Sequence, residues 1–300
     1  MQTGGILRGN GTMRRHRLAF WLFIAPCAIL FTVFFLLPLI LNLFYSLTNY
    51  DGWQTMDFIG LDNYKSLLTD KDFYTALRKT FIYTLFSLPF KVILPLAFAL
   101  LGTSAWVKAK TLTRTLVYIP VLLSSLVVGI TINWMFGQEY GLINFLIQQF
   151  GGSSLEWALN PWLATFVISF ASNWASTGFY MIIFIGGINN INRELYEAGS
   201  IDGANGRQSL FHITLPMLSP TMFLVVLLST INLLKEYALV QGVTQGGPGT
   251  STTYIIQYIF SQGFDKGEYG YASAISAVVM ILFIIIALVQ FKVSKGGETE

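Results

Sequence analysis

Charge is scarce in this chain: only 11% of its 300 residues are Asp, Glu, Lys or Arg, whereas 54% are hydrophobic and the mean hydropathy is +0.60. No soluble domain of this length hides so much apolar surface from water, so the composition excludes a water-soluble fold and indicates a polytopic membrane protein. Groups that do chemistry are scarcer still. The histidines are His16 and His212, the one cysteine is Cys27, and the long apolar runs hold no cluster of carboxylates. No metal-binding or acid–base constellation is visible, which argues against an enzyme. A lone thiol forms no internal disulfide and says nothing about redox compartment. The net charge of +3 is small and spread along the chain, and it suggests no nucleic-acid partner.

A spanning helix needs roughly 20 mostly apolar residues. Six stretches qualify, near 18–47, 80–102, 113–136, 163–187, 215–239 and 271–292. A closed barrel would show short alternating segments instead, so the expectation is an all-α protein of six transmembrane helices forming one domain over residues 1–300. Six spans place both termini on one side. Putting them inside assigns Arg8, Arg14, Arg15, Arg17, Lys108, Lys110, Arg114, Arg193, Arg207, Lys292 and Lys295 to the cytoplasm. The outside then holds Lys65, Lys71, Arg78, Lys79, Lys235 and Lys266, and the 137–161 loop has no Lys or Arg. The positive-inside rule therefore puts both termini in the cytoplasm. The first apolar run follows Arg14, Arg15 and Arg17 but is too long for a cleavable signal peptide, whose core is about 7–15 residues.

The connecting segments are short on chemistry. Within 54–79, Tyr64, Leu67, Leu68, Phe73, Tyr74 and Leu77 recur at near-helical spacing against Asp70, Lys71, Asp72 and Arg78, which predicts an interfacial helix. Trp157, Pro161 and Trp162 suit an aromatic belt at the outer interface. The glycine-rich run Gly246–Thr252 lacks the Lys-Ser/Thr pair of a phosphate loop and reads as an external loop. Lys91 sits deep in the second span between Pro89 and Pro95. Such a charge is expensive in a membrane, so it belongs either to a solute pathway or to a kink that lets it reach water.

The segment 188–214 is the one polar island between long apolar runs. Asn192 is placed to cap a short helix opened by Glu194 and Glu197, where the positive helix end favours acids. Small residues at Ala198, Gly199, Gly203 and Ala204 keep its surface shallow enough to enter a groove on a partner. From spacing alone an ordinary interfacial loop remains open. The string Glu197-Ala198-Gly199-Ser200-Ile201-Asp202-Gly203-Ala204, followed by Phe211, Ile213, Leu215 and Pro216, resembles the EAA loop of permease subunits of binding-protein-dependent ABC importers. Gly199 stands where that family usually has Ala, a change that should loosen the helix by up to about 1 kcal/mol.

Further stretches are similar to carbohydrate-importer permeases: Pro38-Leu39-Ile40 with Ser46–Asp51, Phe58–Tyr64, Leu215-Pro216, Thr244–Pro248 and Gly270–Ala274. The resemblance covers roughly residues 18–292 and implies the type I importer fold, with a maltose, multiple-sugar or glycerol-phosphate type of cargo. It implies a bacterial or archaeal cytoplasmic membrane, a second related permease, a pair of ATPase subunits and an extracytoplasmic solute-binding protein docking on 48–79 and 240–270. ATP and magnesium would be bound by the ATPase, leaving no cofactor in this chain. The coupling role would fall to Glu197, Ala198, Gly199, Asp202, Gly203 and Ala204.

A sugar site needs hydroxyl partners in a wet cavity between spans. Asn173, Ser176, Thr177 and Tyr180 share one face of the fourth span, and Ser229, Asn232 and Glu236 one face of the fifth. Polar stripes also glue helices together. The resemblance aligns these stretches, Leu233 among them, with the sugar-lining helices of maltose-type permeases. Glu236 is expected to face the cavity and Lys235 the outer interface. An anionic cargo such as glycerol phosphate would favour Lys91 or Lys235 instead. A secondary transporter is the other class compatible with six spans and buried charge, although it has no need of the 197–216 island.

Overall fold

The computed structural model describes residues 9–53, 56–104, 109–138, 140–157 and 159–294, and of residues 9–19 the backbone only. Arg8, Lys108 and Lys295, assigned above to the inner face, lie outside the described residues, as do the side chains of Arg14, Arg15 and Arg17. The one β pairing among the described residues is an isolated bridge between Thr48 and Phe58; helices make up nearly all the rest. The chain divides into two units, residues 1–68 with 262–278 and residues 69–261 with 279–300.

The first unit opens with α1 (Gly9–Phe31), a wide π turn (Thr32–Leu36) and α2 (Leu37–Tyr45), so that Phe20–Tyr45 is one apolar span. The motifs that flank its C-terminal end come together. Ile59 N–H donates to Leu47 O at 2.9 Å and Asn49 N–H to Asp57 O at 3.1 Å. Asn63, at the start of α3 (Asp62–Thr69), turns its amide to Ser46 O and Thr48 O at 3.0 and 2.8 Å. These carbonyls leave the end of a helix without intrahelical partners, and a buried Asn supplies the donors. Gly270 N–H closes the cluster on Tyr50 O at 2.8 Å.

Near the start of the second unit the Asp70 carboxylate caps α4 (Lys71–Thr103) by accepting from the N–H of Asp72 and Phe73 at 2.9 and 3.1 Å. The interfacial helix expected over 64–77 is therefore two pieces: α3, and the first turns of the second span itself. Asp70, extended at φ −78° and ψ 103°, makes the break. Through Pro89 and Pro95, α4 continues unbroken.

The third expected span, 113–136, is not one rod. It runs as α5 (Lys110–Tyr118), a 3₁₀ turn (Ile119–Leu122) and α6 (Ser125–Met135), bent by 98°. Leu123 and Ser124 are both extended there, with Pro120 just before them. After α7 (Leu142–Gln149) comes the 29-residue α8 (Pro161–Asn189), the most buried of the spans. Trp162 is exposed, as a belt residue would be, but Trp157 is not. It is buried, and its indole N–H donates to the buried Asn144 Oδ1 at 3.0 Å, a partner that α7 provides.

The polar island forms α9 (Arg193–Ile201), α10 (Gly206–Ser209), a π turn (Leu210–Thr214) and α11 (Leu215–Met217). At Leu218 the chain bends by 65° into α12 (Ser219–Leu234), with Pro216 and Pro220 on either side. The fifth span thus stops at Leu234 rather than 239, and α13 (Ala238–Val243) is a separate short helix. It is followed by α14 (Ile255–Phe260), a π turn (Ser261–Asp265) and α15 (Tyr269–Val293). Counting each bent pair as one span gives six.

Glycines set how closely these helices approach. A Cβ on Gly129 of α6 would lie 2.6 Å from Leu239 O, and one on Gly242 of α13 would lie 2.7 Å from Leu126 O. The two helices cross backbone to backbone, the packing that small residues permit in membranes. Gly178 plays the same part for α8, where a Cβ would meet Tyr118 Cα at 2.6 Å.

Candidate functional site

The breaks in the third and fifth spans meet at one cavity of ≈ 450 Å³. Pro120, Val121, Leu123 and Ser125 come from the bend between α5 and α6, Lys235 and Glu236 from the gap between α12 and α13, and Leu239 from α13 itself. Ser172, Ser176 and Tyr180 of α8, Lys91 of α4 and Asn232 of α12 complete the wall. Irregular backbone is tolerated at membrane depth where it lines a cavity instead of lipid.

The polar side chains there form two linked sets. Lys91 Nζ donates to Ser172 Oγ at 2.6 Å, and Ser172 Oγ donates onward to Glu236 Oε2 at 3.3 Å. A buried ammonium with no compensating partner is costly. Here the hydroxyl of α8 relays the charge of α4 to a carboxylate beyond α12, so three elements are tied by one chain of bonds. In the second set Asn232 Nδ2 donates to Tyr180 Oη at 2.8 Å. Tyr180 and Asn232 both line the cavity. Together these groups offer an ammonium, a carboxylate, hydroxyls and an amide, beside the rings of Tyr180 and Phe179.

Of the residues selected from sequence, Ser176, Tyr180, Asn232 and Glu236 line this cavity. Asn173 and Thr177 do not; they line a separate, aromatic-walled cleft of ≈ 450 Å³ with Phe90, Phe170 and Trp174. The i, i+3, i+4, i+7 stripe is therefore split between two cavities. Ser229 and Leu233 are fully buried and line neither. Lys235, expected at the outer interface, borders the cavity beside Glu236. Ser172 and Ser125 were missed. Ser172 lies one turn before Ser176 and two before Tyr180, so the spacing i, i+4, i+8 was the signal.

A second feature is the surface around α9. Asn192 caps it, accepting from Glu194 N–H at 3.1 Å. Its end is a Schellman closure: Gly203, at φ +79°, donates to Ser200 O at 3.2 Å, and Ala204 N–H donates to Gly199 O at 2.9 Å. Not one α9 residue is buried. Ala198, Gly199, Asp202, Gly203 and Ala204 line an open groove with Leu195, His212 and Ile213, whereas Glu197 stands outside it and pairs with Arg193 at 3.2 Å. Gly199 has a local purpose that the expected loosening overlooks. A Cβ there would come 2.9 Å from Ile213 Cδ1, so the missing methyl makes room for the chain that leads into the fifth span.

Among the described residues no group of three or more His, Cys, Asp or Glu converges as a metal site would require. A bundle of apolar spans, broken at two points around a polar cavity and carrying an exposed amphipathic helix, defines a solute-transport subunit of a membrane.

The comparisons with known proteins narrow that class. Residues 71–295 match the family of binding-protein-dependent transport system inner membrane components, and the chain belongs to it. It is 33% identical over 285 residues to the arabinooligosaccharides transport system permease protein of Bacillus subtilis, covering 93% of this chain and 90% of that one. It is 31% identical over 276 residues to the trehalose/maltose transport system permease protein of Thermococcus litoralis, covering 92% and 93%. Its fold matches, with a TM-score of 0.83 and 23% identity over 95% of this chain and 97% of the other, a chain in the crystal structure of a bacterial ABC transporter involved in import of the acidic polysaccharide alginate.

Proposed function

We propose that this chain is the permease subunit of an ATP-driven importer that carries a di- or oligosaccharide across the cytoplasmic membrane by alternating access. The observation that carries the reading is the cavity itself, in which Lys91, Ser172, Tyr180, Asn232 and Glu236 bring donors and acceptors to one place inside an apolar bundle. Sugar hydroxyls need both, and a charged partner strengthens each bond. Relatives named for arabinooligosaccharide and for trehalose/maltose transport support a carbohydrate over another solute. A singly anionic sugar is compatible with the two lysines at the cavity.

Alternating access requires that energy arrive from elsewhere. In this reading ATP and magnesium are held by a separate ATPase pair, which receives α9 through Ala198, Gly199, Asp202, Gly203 and Ala204, with Glu197 at the rim of the contact. Both termini lie in the cytoplasm. A second permease closes the cavity, and a solute-binding protein docks outside on 48–79 and 240–270. The open, unburied surface of α9 supports the docking role, since a short helix with no buried residue gains little stability from its own chain.

Tagging the chain at its native locus, solubilising it in mild detergent and identifying what co-purifies tests this assembly. The wild type is expected to bring down an ATPase and a second permease. In Gly203→Pro the ring fixes φ near −65° where the chain has +79°, so the Schellman closure fails and the ATPase is lost. Wild-type chain recovered alone would remove the docking role.

A further inference from the structure

The docking helix and the cavity are separated by a short, peculiar piece of chain, and the structure shows how one is tied to the other. Tyr196 is on α9, one residue before the acidic start of the docking string. Its hydroxyl lies 3.0 Å from Thr214 Oγ1. Thr214 closes the π turn, is buried, and places its own hydroxyl 3.3 Å from Ser209 O. A hydroxyl has one proton to give. With Thr214 donating to the Ser209 carbonyl, Tyr196 must be the donor to Thr214. The bonds then run in one sense, from docking helix to π turn to the end of α10.

The π turn is well placed to move something. Thr214 O accepts from Leu218 N–H at 3.0 Å, and Leu218 is the fully buried residue at the 65° bend. Leu218 is braced from the other side by α8, since a Cβ on Gly187 would stand 2.9 Å from its Cδ2. From this bend α12 leads to Asn232, and the chain beyond it to Glu236. Wide turns of this kind are frequently found at functional sites. The contact of Ile213 with Gly199 holds α9 against the turn but transmits only apposition. The Tyr196–Thr214 bond is directional and can pull as well as push.

We propose that the Tyr196 hydroxyl is the strut through which motion of the docking helix reaches the bend at Leu218 and so the cavity, making Tyr196 a positioning residue for energy coupling. The proposal rests on the reading that α9 receives the ATPase. It assigns no contact with cargo or nucleotide to Tyr196.

Tyr196→Phe keeps the ring and removes only the bond. In the complete importer, reconstituted with its second permease, ATPase pair and binding protein, the variant is expected to assemble and hydrolyse ATP while importing less sugar. ATP consumed per sugar delivered should rise about fivefold or more, at the low end of typical coupling factors. Thr214→Val should do the same, Thr214→Ser should retain the wild-type ratio, and the double variant Tyr196→Phe/Thr214→Val should be no worse than either single one. An unchanged ratio in Tyr196→Phe, or a proportional loss of hydrolysis and import, overturns the strut while leaving the importer reading intact. Wild-type chain that imports sugar with no ATP hydrolysis at all would overturn the reading beneath it.

Discussion

Glu236→Gln is expected to lower sugar import roughly ten- to hundredfold in a complex that still assembles. Glutamine keeps the shape and still accepts from Ser172, but it removes the negative end of the chain that begins at Lys91. Hydrogen bonds to charged groups contribute about 1.5–3 kcal/mol, which corresponds to roughly 10- to 150-fold in a rate or affinity. The buried Lys91 would be left with a neutral hydroxyl and no carboxylate beyond it, a costly state for an ammonium taken out of bulk water. The check is uptake of labelled sugar by vesicles carrying equal amounts of wild-type and variant complex. Wild-type transport by a well-expressed Glu236→Gln protein would remove this carboxylate from the cargo path.

Gly129→Leu is expected to have the largest effect on the fold. The added Cβ would sit 2.6 Å from Leu239 O and 2.9 Å from Gly242 Cα, and both are backbone atoms that cannot swing aside. Overpacking costs about 1–3 kcal/mol when side chains can adjust, and here a whole helix must move. Since α13 also supplies Leu239 to the cavity, displacement of α13 would spoil transport as well as stability. Gly129→Ala should show a smaller version of the same loss. A melting curve of the detergent-solubilised complex gives the answer, and Gly129→Leu melting with the wild type would mean that α6 and α13 do not cross at these glycines.

Much of this was legible in the sequence because lipid imposes few solutions. Long apolar runs must become helices, and the six stretches fall on four long helices and two bent pairs, while Asn192, read as a cap, does cap α9. What was not legible was where the helices stop being straight. The run over 113–136 is apolar throughout, and hydropathy does not distinguish a rod from two pieces meeting at 98°. Prolines gave a poor guide: Pro120, Pro216 and Pro220 attend bends, whereas Pro89 and Pro95 lie inside an unbroken α4. A proline inside a spanning helix is tolerated where its surroundings satisfy the freed backbone, and a single sequence does not display those surroundings.

The candidate site follows the same division. A helical period put Asn173, Ser176, Thr177 and Tyr180 on one stripe, yet Ser176 and Tyr180 line the one cavity and Asn173 and Thr177 the aromatic cleft. A face 100° wide spans two cavities when the helix has neighbours on both sides of it, as α8 does where the two sets of lining residues part. Glu236 reached the cavity for a reason that periodicity did not contain, since α12 has ended two residues earlier. Lys91 drew attention through its cost in a membrane, and its partner Ser172 was invisible until α4 and α8 were side by side.

The central claim is that sugar crosses at the expense of ATP bound outside this chain. The most direct measurement is uptake of a labelled oligosaccharide into liposomes holding this chain with its co-purifying permease and ATPase, with binding protein outside and ATP inside. Uptake that needs both ATP and binding protein, and survives collapse of ion gradients by ionophores, is the predicted result. Uptake that proceeds without ATP and disappears when the gradients are collapsed would contradict the account and make the chain a secondary transporter.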